Sequence, residues 1–514
     1  MPTWLLQWAN TPFGGTGKNY GHATTVDMLS DDILLGIFGF ILKLPNSQWT
    51  WYKLIRVCRR WRQIIFSSPL HLDLQLLCTF GTPVRKCLGY WPAFPLVVDY
   101  GFLRNKSLDG CITPKDLDNI LAALEQCDRV RHIDLSVSGS LMAYLFAVME
   151  EPFPALNYLL LSCTDRDKDQ VFEDEDEGEG EDRLVIPSKF LGGSAPRLRE
   201  ISLFNIPFPT IPPILSSASD LVKLQLEDIP RTPFPSPEAM VACLAVLTRL
   251  EDISIEFQSE LSTRRRNHLR PSPETWVVLP AVASISYTGD NAYLEDFVAR
   301  INTPLLNLID IKYSDEDFDY QVTELIKLIE RSNLQPSRFG FVEIFFEPRK
   351  TTFLLRPPNN PNEFAIAIQI SSWGGVRSQA VDMTQMLSQV SQVSAMISDV
   401  VRLDIEAASP WETDEECMDH EIMESMDDSG VKWLELFHPF NAIKTLYISS
   451  QLTEGVARAF GELTVETIAQ VLPALELLHL EGHPFMPLRQ IAEGLRNTFR
   501  ASGRPLKVVG VERH

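Results

Sequence analysis

The chain has 514 residues, of which 45% are hydrophobic, 22% charged and 10% aromatic, which is the composition of a globular protein that can bury a core. Its net charge is −22, and an acidic surface repels phosphate backbones and anionic lipids, which excludes broad binding to nucleic acid or membranes. No run of about 18 apolar residues predicts a membrane span, and the N-terminus does not resemble a secretory signal, so we expect a protein of the cytoplasm or nucleus.

The first predicted element is a helix that begins near Asp31. Residues 1–24 are rich in Gly, Thr and Asn without any period, and we predict a disordered tail there. Ser30 can cap the helix, and Asp31 and Asp32 in the first turn suit the positive end of the helix dipole. The apolar residues form one broad stripe at helical spacing, which comprises Ile33, Leu34, Ile37, Phe38 and Ile41.

A second apolar stripe at helical spacing follows and ends at Ser67-Ser68-Pro69. It comprises Trp51, Leu54, Ile55, Cys58, Trp61 and Ile65. Residues 25–72 therefore predict a compact all-α unit. Because a unit of this size cannot bury all of both stripes, some apolar surface is expected to remain for a partner.

After a bridge at 73–114, short segments of the form apolar-x-x-apolar-x-apolar recur through 115–514. With 45% apolar residues, such a triplet arises by chance in roughly one window in ten. The triplets are Val130/Ile133/Leu135, Leu156/Leu159/Leu161, Leu198/Ile201/Leu203, Leu221/Leu224/Leu226, Leu250/Ile253/Ile255, Val282/Ile285/Tyr287, Leu306/Ile309/Ile311, Phe339/Val342/Ile344, Val400/Leu403/Ile405, Ile443/Leu446/Ile448 and Leu475/Leu478/Leu480. One more strand is predicted from Ile366 to Ile370, and acidic inserts near 165–183 and 406–429 lengthen the spacing.

Two features indicate that these triplets are strands and not chance matches. The residue between the last two apolar positions is plainly apolar only at Leu160, which is the alternation of half-exposed strands. Helix-like runs also precede several triplets, namely Leu117–Leu124, Met240–Leu247, Val322–Ile329, Met383–Val393 and Val465–Val471. Helix then strand, at about 20–45 residues per unit, predicts an α/β fold in which a small all-α head precedes an irregular leucine-rich-repeat solenoid with a curved parallel sheet. A generic α/β domain is the alternative.

The residues at 29–38, 54–62 and 67–69 resemble the F-box motif. The family pattern is Leu-Pro-x-Glu-Ile-Leu-x-x-Ile-Phe, then Val-Cys-Arg-x-Trp-Arg and a Ser-Pro. This chain has Leu-Ser-Asp-Asp-Ile-Leu-Leu-Gly-Ile-Phe, then Val-Cys-Arg-Arg-Trp-Arg and Ser-Pro, so Ser30 replaces the proline and Asp32 the glutamate. The stretch 72–100, which includes Thr79-Phe80-Gly81-Thr82-Pro83-Val84-Arg85-Lys86, resembles F-box proteins of the mushroom lineage. The remainder resembles the leucine-rich class only in the spacing of its apolar residues.

The resemblance implies a substrate receptor of an SCF-type cullin–RING ubiquitin ligase, without catalytic residues of its own. Residues 25–72 would be an F-box that binds a Skp-type adaptor on the cullin scaffold, and the solenoid would bind a protein substrate. Helix-in-groove docking would use apolar residues of both stripes, although burial in the core is the competing interpretation for each of them. The residues expected at the adaptor are Leu29, Ser30, Ile33, Leu34, Ile37, Phe38, Leu54, Val57, Cys58, Trp61 and Ile65.

The exposed strand positions predict where a target would bind. These positions form one candidate ladder, which comprises Asp134, Asp310, Glu343, Asp404, Tyr447 and His479. Because that ladder is mostly acidic, we expect a basic or polar protein segment as its target.

Signatures of enzymes fail on inspection. The Gly14–Lys18 stretch lacks the first glycine and the final Ser or Thr of a phosphate loop, and His420-Glu421 lacks the second histidine of a zinc-protease helix. The eight cysteines form no C-x-x-C pair, so no metal, cofactor or disulfide scaffold is predicted. Two alternatives stay open: an interaction scaffold with a degenerate F-box, suggested by Ser30, and a hydrolase or transferase in a non-repeat α/β fold.

Overall fold

The chain forms two compact units, Met1–Ile206 with Pro212–Ala218, and Pro207–Ile211 with Ser219–His514. These are called the first and second units below. The computed structural model describes residues 26–43, 50–69, 71–101, 112–164, 184–207, 212–230, 234–258, 276–313, 322–334, 339–347, 350–357, 363–371, 376–393, 397, 399–408, 432–463, 470–482, 487–501 and 503–512.

The first unit combines helices with a parallel sheet. Its helices are α1 Asp31–Leu42, α2 Thr50–Leu54, α3 Arg59–Ser67, α4 Val84–Tyr90, α5 Pro114–Leu124, α6 Gly139–Val148 and α7 Pro213–Ser217. Its strands are β1 Leu76–Cys78, β2 Leu96–Tyr100, β3 Val130–Val137, β4 Tyr158–Cys163 and β5 Glu200–Phe204. The strands lie in chain order, and each pairs in parallel with the next.

The second unit repeats this plan over a larger sheet. Its strands are β6 Lys223–Ile229, β7 Asp252–Phe257, β8 Val277–Val278, β9 Ser284–Gly289, β10 Ile301–Asn302, β11 Leu308–Tyr313, β12 Phe341–Glu347, β13 Lys350–Arg356, β14 Ile366–Ser371, β15 Arg402–Ala407, β16 Thr445–Ile448, β17 Leu477–Gly482 and β18 Lys507–Glu512. Its helices are α8 Pro237–Leu244, α9 Asn291–Val298, α10 Thr323–Arg331, α11 Val376–Val393, α12 Trp433–Phe437, α13 Thr453–Gly461 and α14 Leu488–Ala501. Each of these helices contacts the next, so α8 to α14 form one layer.

The large sheet of the second unit departs from chain order at one place. Its order is β6-β7-β9-β11-β14-β13-β12-β15-β16-β17-β18, while β8 and β10 form a separate parallel pair. Strand β13 runs antiparallel to both β12 and β14, and all other pairs with a described register are parallel. The prediction of an all-parallel sheet is therefore wrong at β13. A parallel neighbour needs a long connection such as a helix, but β13 begins only three residues after the end of β12 and so runs antiparallel to it.

The apolar triplets mark the side of the sheet that packs against the helices. All eleven predicted triplets end in observed strands, and the additional strand predicted at Ile366 is β14, so these predictions are confirmed. In each triplet the last two apolar residues are buried, for example Ile309 and Ile311. Asp310, which lies between them on the strand, is half-buried. This alternation gives the sheet one face on the core and one open face.

Other predicted elements differ in detail. The region expected to be a bridge, 73–114, contains β1 and β2, which extend the sheet before β3. The helical runs expected near Leu117, Met240, Val322 and Met383 are α5, α8, α10 and α11. The tail at 1–24, the first acidic insert, the motif at 14–18, His420-Glu421 and most of the run at 465–471 lie outside the described residues. The second insert, 406–429, lies outside them after residue 408, and its first residues belong to β15.

Among the residues that the structure describes, none of the helices is both long and apolar enough to cross a bilayer.

Candidate functional site

The start of α1 is held in place by two contacts. Ser30 has an extended backbone, and its hydroxyl accepts a hydrogen bond from the Ile33 amide at 3.4 Å. Arg60 on α3 donates from Nε to Asp31 at 2.8 Å and from Nη2 to the Leu29 carbonyl. The cap and the arginine together fix the first turn of α1 against α3.

The second predicted helical stripe is divided between two helices. Cys58 has an extended backbone (φ −157°, ψ 171°), so α2 ends before it and α3 begins after it. Its thiol accepts a hydrogen bond from the Trp61 amide at 3.4 Å, as an N-cap side chain does. The apolar spacing could not reveal this break, because the apolar residues after Cys58 continue the same helical spacing as those before it.

Two expected contact residues of α1 belong to the core. Leu34 is 1% exposed and Phe38 is 0% exposed, and the ring of Phe38 lies 4.8 Å from that of Trp61. The prediction that Leu34 and Phe38 present their side chains to a partner is therefore wrong. These residues are four apart and share the face of α1 that packs on α3.

Burial also corrects two of the expected contacts on the second stripe. Leu54 and Ile65 are buried, so they pack inside the chain and do not offer a contact surface. Trp61 and Leu29 are half-buried, whereas Ser30 and Cys58 are exposed. Most apolar residues of the second stripe therefore pack in the core.

The remaining apolar face of α1 is open. Ile33 is 51% exposed, Ile37 41% and Phe40 71%, and they follow each other at i, i+4 and i+7, so they form one stripe along the helix. We call these three residues the α1 stripe. Val57 and Met28 are also largely exposed. Sequence reasoning missed Phe40 because it continued the stripe to Ile41, although the spacing from Ile33 would have identified it.

The open face of the second sheet aligns most of the predicted ladder. Glu343, Asp404, Tyr447 and His479 are register partners on four adjacent strands. Asp310 lies on the same row, separated from Glu343 by two apolar residues of the antiparallel strands. The full row is Gln225, Ser254, Ser286, Asp310, Ala367, Leu354, Glu343, Asp404, Tyr447, His479 and Val509.

The two central carboxylates of this row, Glu343 and Asp404, form ion pairs with arginines of the same chain. Arg356 donates from Nε and Nη2 to Glu343 at 3.0 and 2.9 Å. Arg402 donates to both oxygens of Asp404, at 2.9 and 2.6 Å, and its guanidinium lies 4.8 Å from the Phe341 ring centre. Burial raises the pKa of Asp404, and the nearby Glu343 adds to this shift, while Arg402 opposes it. A basic target was expected because the ladder is mostly acidic. Arg356 and Arg402 pair with two of its carboxylates, so the ladder offers less negative charge to a target than its sequence suggests.

Asp134, the sixth predicted residue, lies in the first unit. Its register partners there are Asp99 and Leu160. On the neighbouring row, the rings of His132 and Tyr158 are stacked with centroids 4.0 Å apart. Burial raises the pKa of the Tyr158 hydroxyl, and the negative charges of Asp134 and Glu200 raise it further. This part of the open face is therefore acidic and aromatic.

Within the described residues, no group of three or more His, Cys, Asp or Glu side chains is arranged to hold a metal ion.

No protein-family model matches this chain, and a search of the curated proteins finds no relative of it.

Proposed function

We propose that this protein is the substrate-receptor subunit of an SCF-type cullin–RING ubiquitin ligase. In this proposal α1 to α3 form an F-box whose α1 stripe docks on a Skp-type adaptor. The open sheet faces bind a protein target, and the helix layer and sheet act as a leucine-rich solenoid. The chain contributes no catalytic group, has no nucleic-acid or membrane partner, and acts in the cytoplasm or nucleus.

The observation that carries the proposal is the exposure of the α1 stripe. Ile33, Ile37 and Phe40 follow the helical spacing that grooves recognise, and the adjoining face of the same helix is buried through Leu34 and Phe38. Covering a large apolar side chain that is half exposed stabilises a complex by about 1–2 kcal/mol. Three such residues on one short helix therefore offer a few kcal/mol to a partner.

The corrected adaptor surface differs from the one expected from the motif alone. The α1 stripe is its centre, and Val57, Cys58, Leu29 and Ser30 are the remaining accessible motif residues. Leu34, Phe38, Leu54 and Ile65 support this surface from within and do not touch the adaptor.

Binding of the purified full chain to a Skp-type adaptor tests the proposal. Isothermal titration is expected to give a dissociation constant of micromolar or tighter for the wild type, and a loss of at least tenfold for Ile33→Asp and Phe40→Asp. Val246→Asp is the matched control, since Val246 is 50% exposed and lies in the second unit. An unchanged affinity of the two α1 variants would contradict the proposal.

The scaffold alternative makes a different prediction in the same titration. It holds that Ser30 marks a motif that no longer docks, so the wild type would show no heat of binding at micromolar concentration. That result would leave the open sheet faces as the functional part of the chain and remove the ligase assignment.

A further inference from the structure

The second unit carries a small apolar surface that shares no residue with the ladder. Strands β8 and β10 form a parallel pair, with Val278 opposite Asn302. Trp276 and Val278 are two residues apart on this extended segment, so they point to the same side. Their exposed fractions are 46% and 51%. Large apolar residues exposed side by side are typical of contact surfaces.

Arg331, the last residue of α10, adds a cation to this surface. Its guanidinium carbon lies 4.8 Å from the centre of the Trp276 ring. Its Nε and Nη2 are buried, and neither has a hydrogen-bond partner among the residues that the structure describes. Arg300 in the same unit shows the usual alternative, because it donates to both Asp296 and Glu238. Arg129 and Arg496 also have no carboxylate partner among the described residues, but both donate to backbone carbonyls, whereas no such bond is found for Arg331 in that part of the chain.

Two more buried polar atoms, for which the described residues provide no partner, lie at the end of the adjoining strand β10. They are Oδ1 of Asn302 and Oγ1 of Thr303, and β10 is in contact with α10. A buried donor or acceptor without a partner destabilises the folded chain, and stacking on an indole recovers only part of that loss for Arg331. Unsatisfied groups of this kind concentrate where a protein binds something else.

We propose that Trp276, Val278 and Arg331 form a docking site for a protein segment that carries a carboxylate beside an apolar side chain. The carboxylate accepts hydrogen bonds from the Arg331 guanidinium, and the apolar side chain covers Val278 and the indole. The charge of Arg331 selects this occupant, since no carboxylate in the described part of the chain pairs with it. Trp and Arg are also the residues that most often dominate binding energy at interfaces.

The guanidinium is partly accessible in the structure as it stands. Arg331 is half-buried, and the Trp276 indole, itself about half exposed, lies over one face of its guanidinium. The site shares no residue with the surfaces used in the proposed function, and its existence does not depend on adaptor binding.

Selection of peptides on the full-length protein tests this site. A displayed library of random 12-residue peptides is selected on the wild type and counter-selected on Arg331→Leu. Enriched peptides are expected to contain Asp or Glu next to a large apolar residue. A synthetic peptide from the enriched set should bind at least tenfold more weakly to Arg331→Leu and to Trp276→Ala. Changing its acid to the amide should cause the same loss on the wild type and little further loss on Arg331→Leu.

Two controls separate docking from a structural role. Arg249→Leu removes an exposed arginine that pairs with Asp220, and it should leave peptide binding unchanged. The melting temperature of Arg331→Leu should stay the same or rise, since an unsatisfied charge is removed, whereas Arg300→Leu should lower it.

Three outcomes would overturn the proposal: no enriched peptide, enriched peptides without a carboxylate, or a melting temperature for Arg331→Leu that falls as far as that of Arg300→Leu.

Discussion

The rings of Phe38 and Trp61 lie 4.8 Å apart with their planes inclined by 59°, which joins α1 to α3 through their most bulky side chains. Two residues further along α1, Phe40 is 71% exposed. One helix therefore uses one phenylalanine for the core and presents the other at the surface.

This division predicts very different effects of two alanine substitutions on stability. Phe38→Ala should lower the free energy of unfolding by about 3–5 kcal/mol, because it leaves a cavity under Trp61. Phe40→Ala should change it by less than about 0.5 kcal/mol. Urea denaturation followed by circular dichroism measures both. Equal losses would show that α1 packs with a different face.

The contact between Arg60 and the start of α1 predicts a local effect. Arg60→Ala should cost about 1 kcal/mol or less, because the ion pair with Asp31 is largely exposed. The Leu34 amide, which bonds to the Ser30 carbonyl, should exchange its hydrogen faster in this variant. Arg59→Ala is the control, since Arg59 is the exposed neighbour. Hydrogen exchange that is equal in both variants would refute a specific role of Arg60.

The ion pair between Glu343 and Arg356 predicts a coupling across the open face. Both side chains are mostly buried, at 21% and 16% exposure, so Arg356→Met should leave an uncompensated carboxylate and destabilise by about 1–3 kcal/mol. Adding Glu343→Gln should recover part of that loss. A double-mutant cycle in urea measures the coupling. Strictly additive losses would mean that the pair does not stabilise the sheet.

Burial of the Cys243 thiol predicts a dependence on alkaline pH. Its pKa is raised to about 11 from 9.0, so the folded state holds the proton more tightly than the unfolded state. The resulting stability is fully present below pH 9 and is lost as the pH rises towards 11, by about 2 kcal/mol.

The Cys243→Ala variant should lose less stability over this pH range than the wild type. Urea denaturation at pH 8, 9, 10 and 11 measures the difference, with Cys58→Ser as the exposed-thiol control. A parallel decline in wild type and Cys243→Ala would exclude this thiol as a cause.

The strands were predictable because burial on one face imposes a period of two on the sequence. The apolar residues on either side of Asp404 illustrate it, since Leu403 and Ile405 are both fully buried. Strand β13 escaped prediction because only a short hairpin, and no helix, separates it from β12. The direction and place of β13 in the sheet also depend on which strands pair. The alternation of apolar residues within a strand does not specify its neighbours.

The candidate surfaces were predictable only in part, for a related reason. Helical spacing identified Ile33 and Ile37, but it could not decide which side of the stripe would pack on α3, and so Leu34 and Phe38 were assigned to the wrong side. The ladder positions followed from alternation alone. Their pairing with Arg356 and Arg402 depends on register and side-chain reach, which the spacing of apolar residues does not encode.

The reversed order of β12, β13 and β14 constrains how the second unit assembles. Ile309 on β11 pairs with Ile366 on β14, so the neighbour of β11 on this side is the third of these strands in sequence and not the next one, β12. The segment from Phe341 to Ser371 can meanwhile form its own antiparallel contacts, which are local and therefore fast. Helix α11, about 27 Å long, then carries the chain back past two strands to β15. We therefore expect the central strands to assemble as one local antiparallel block, and not by addition of one strand after another.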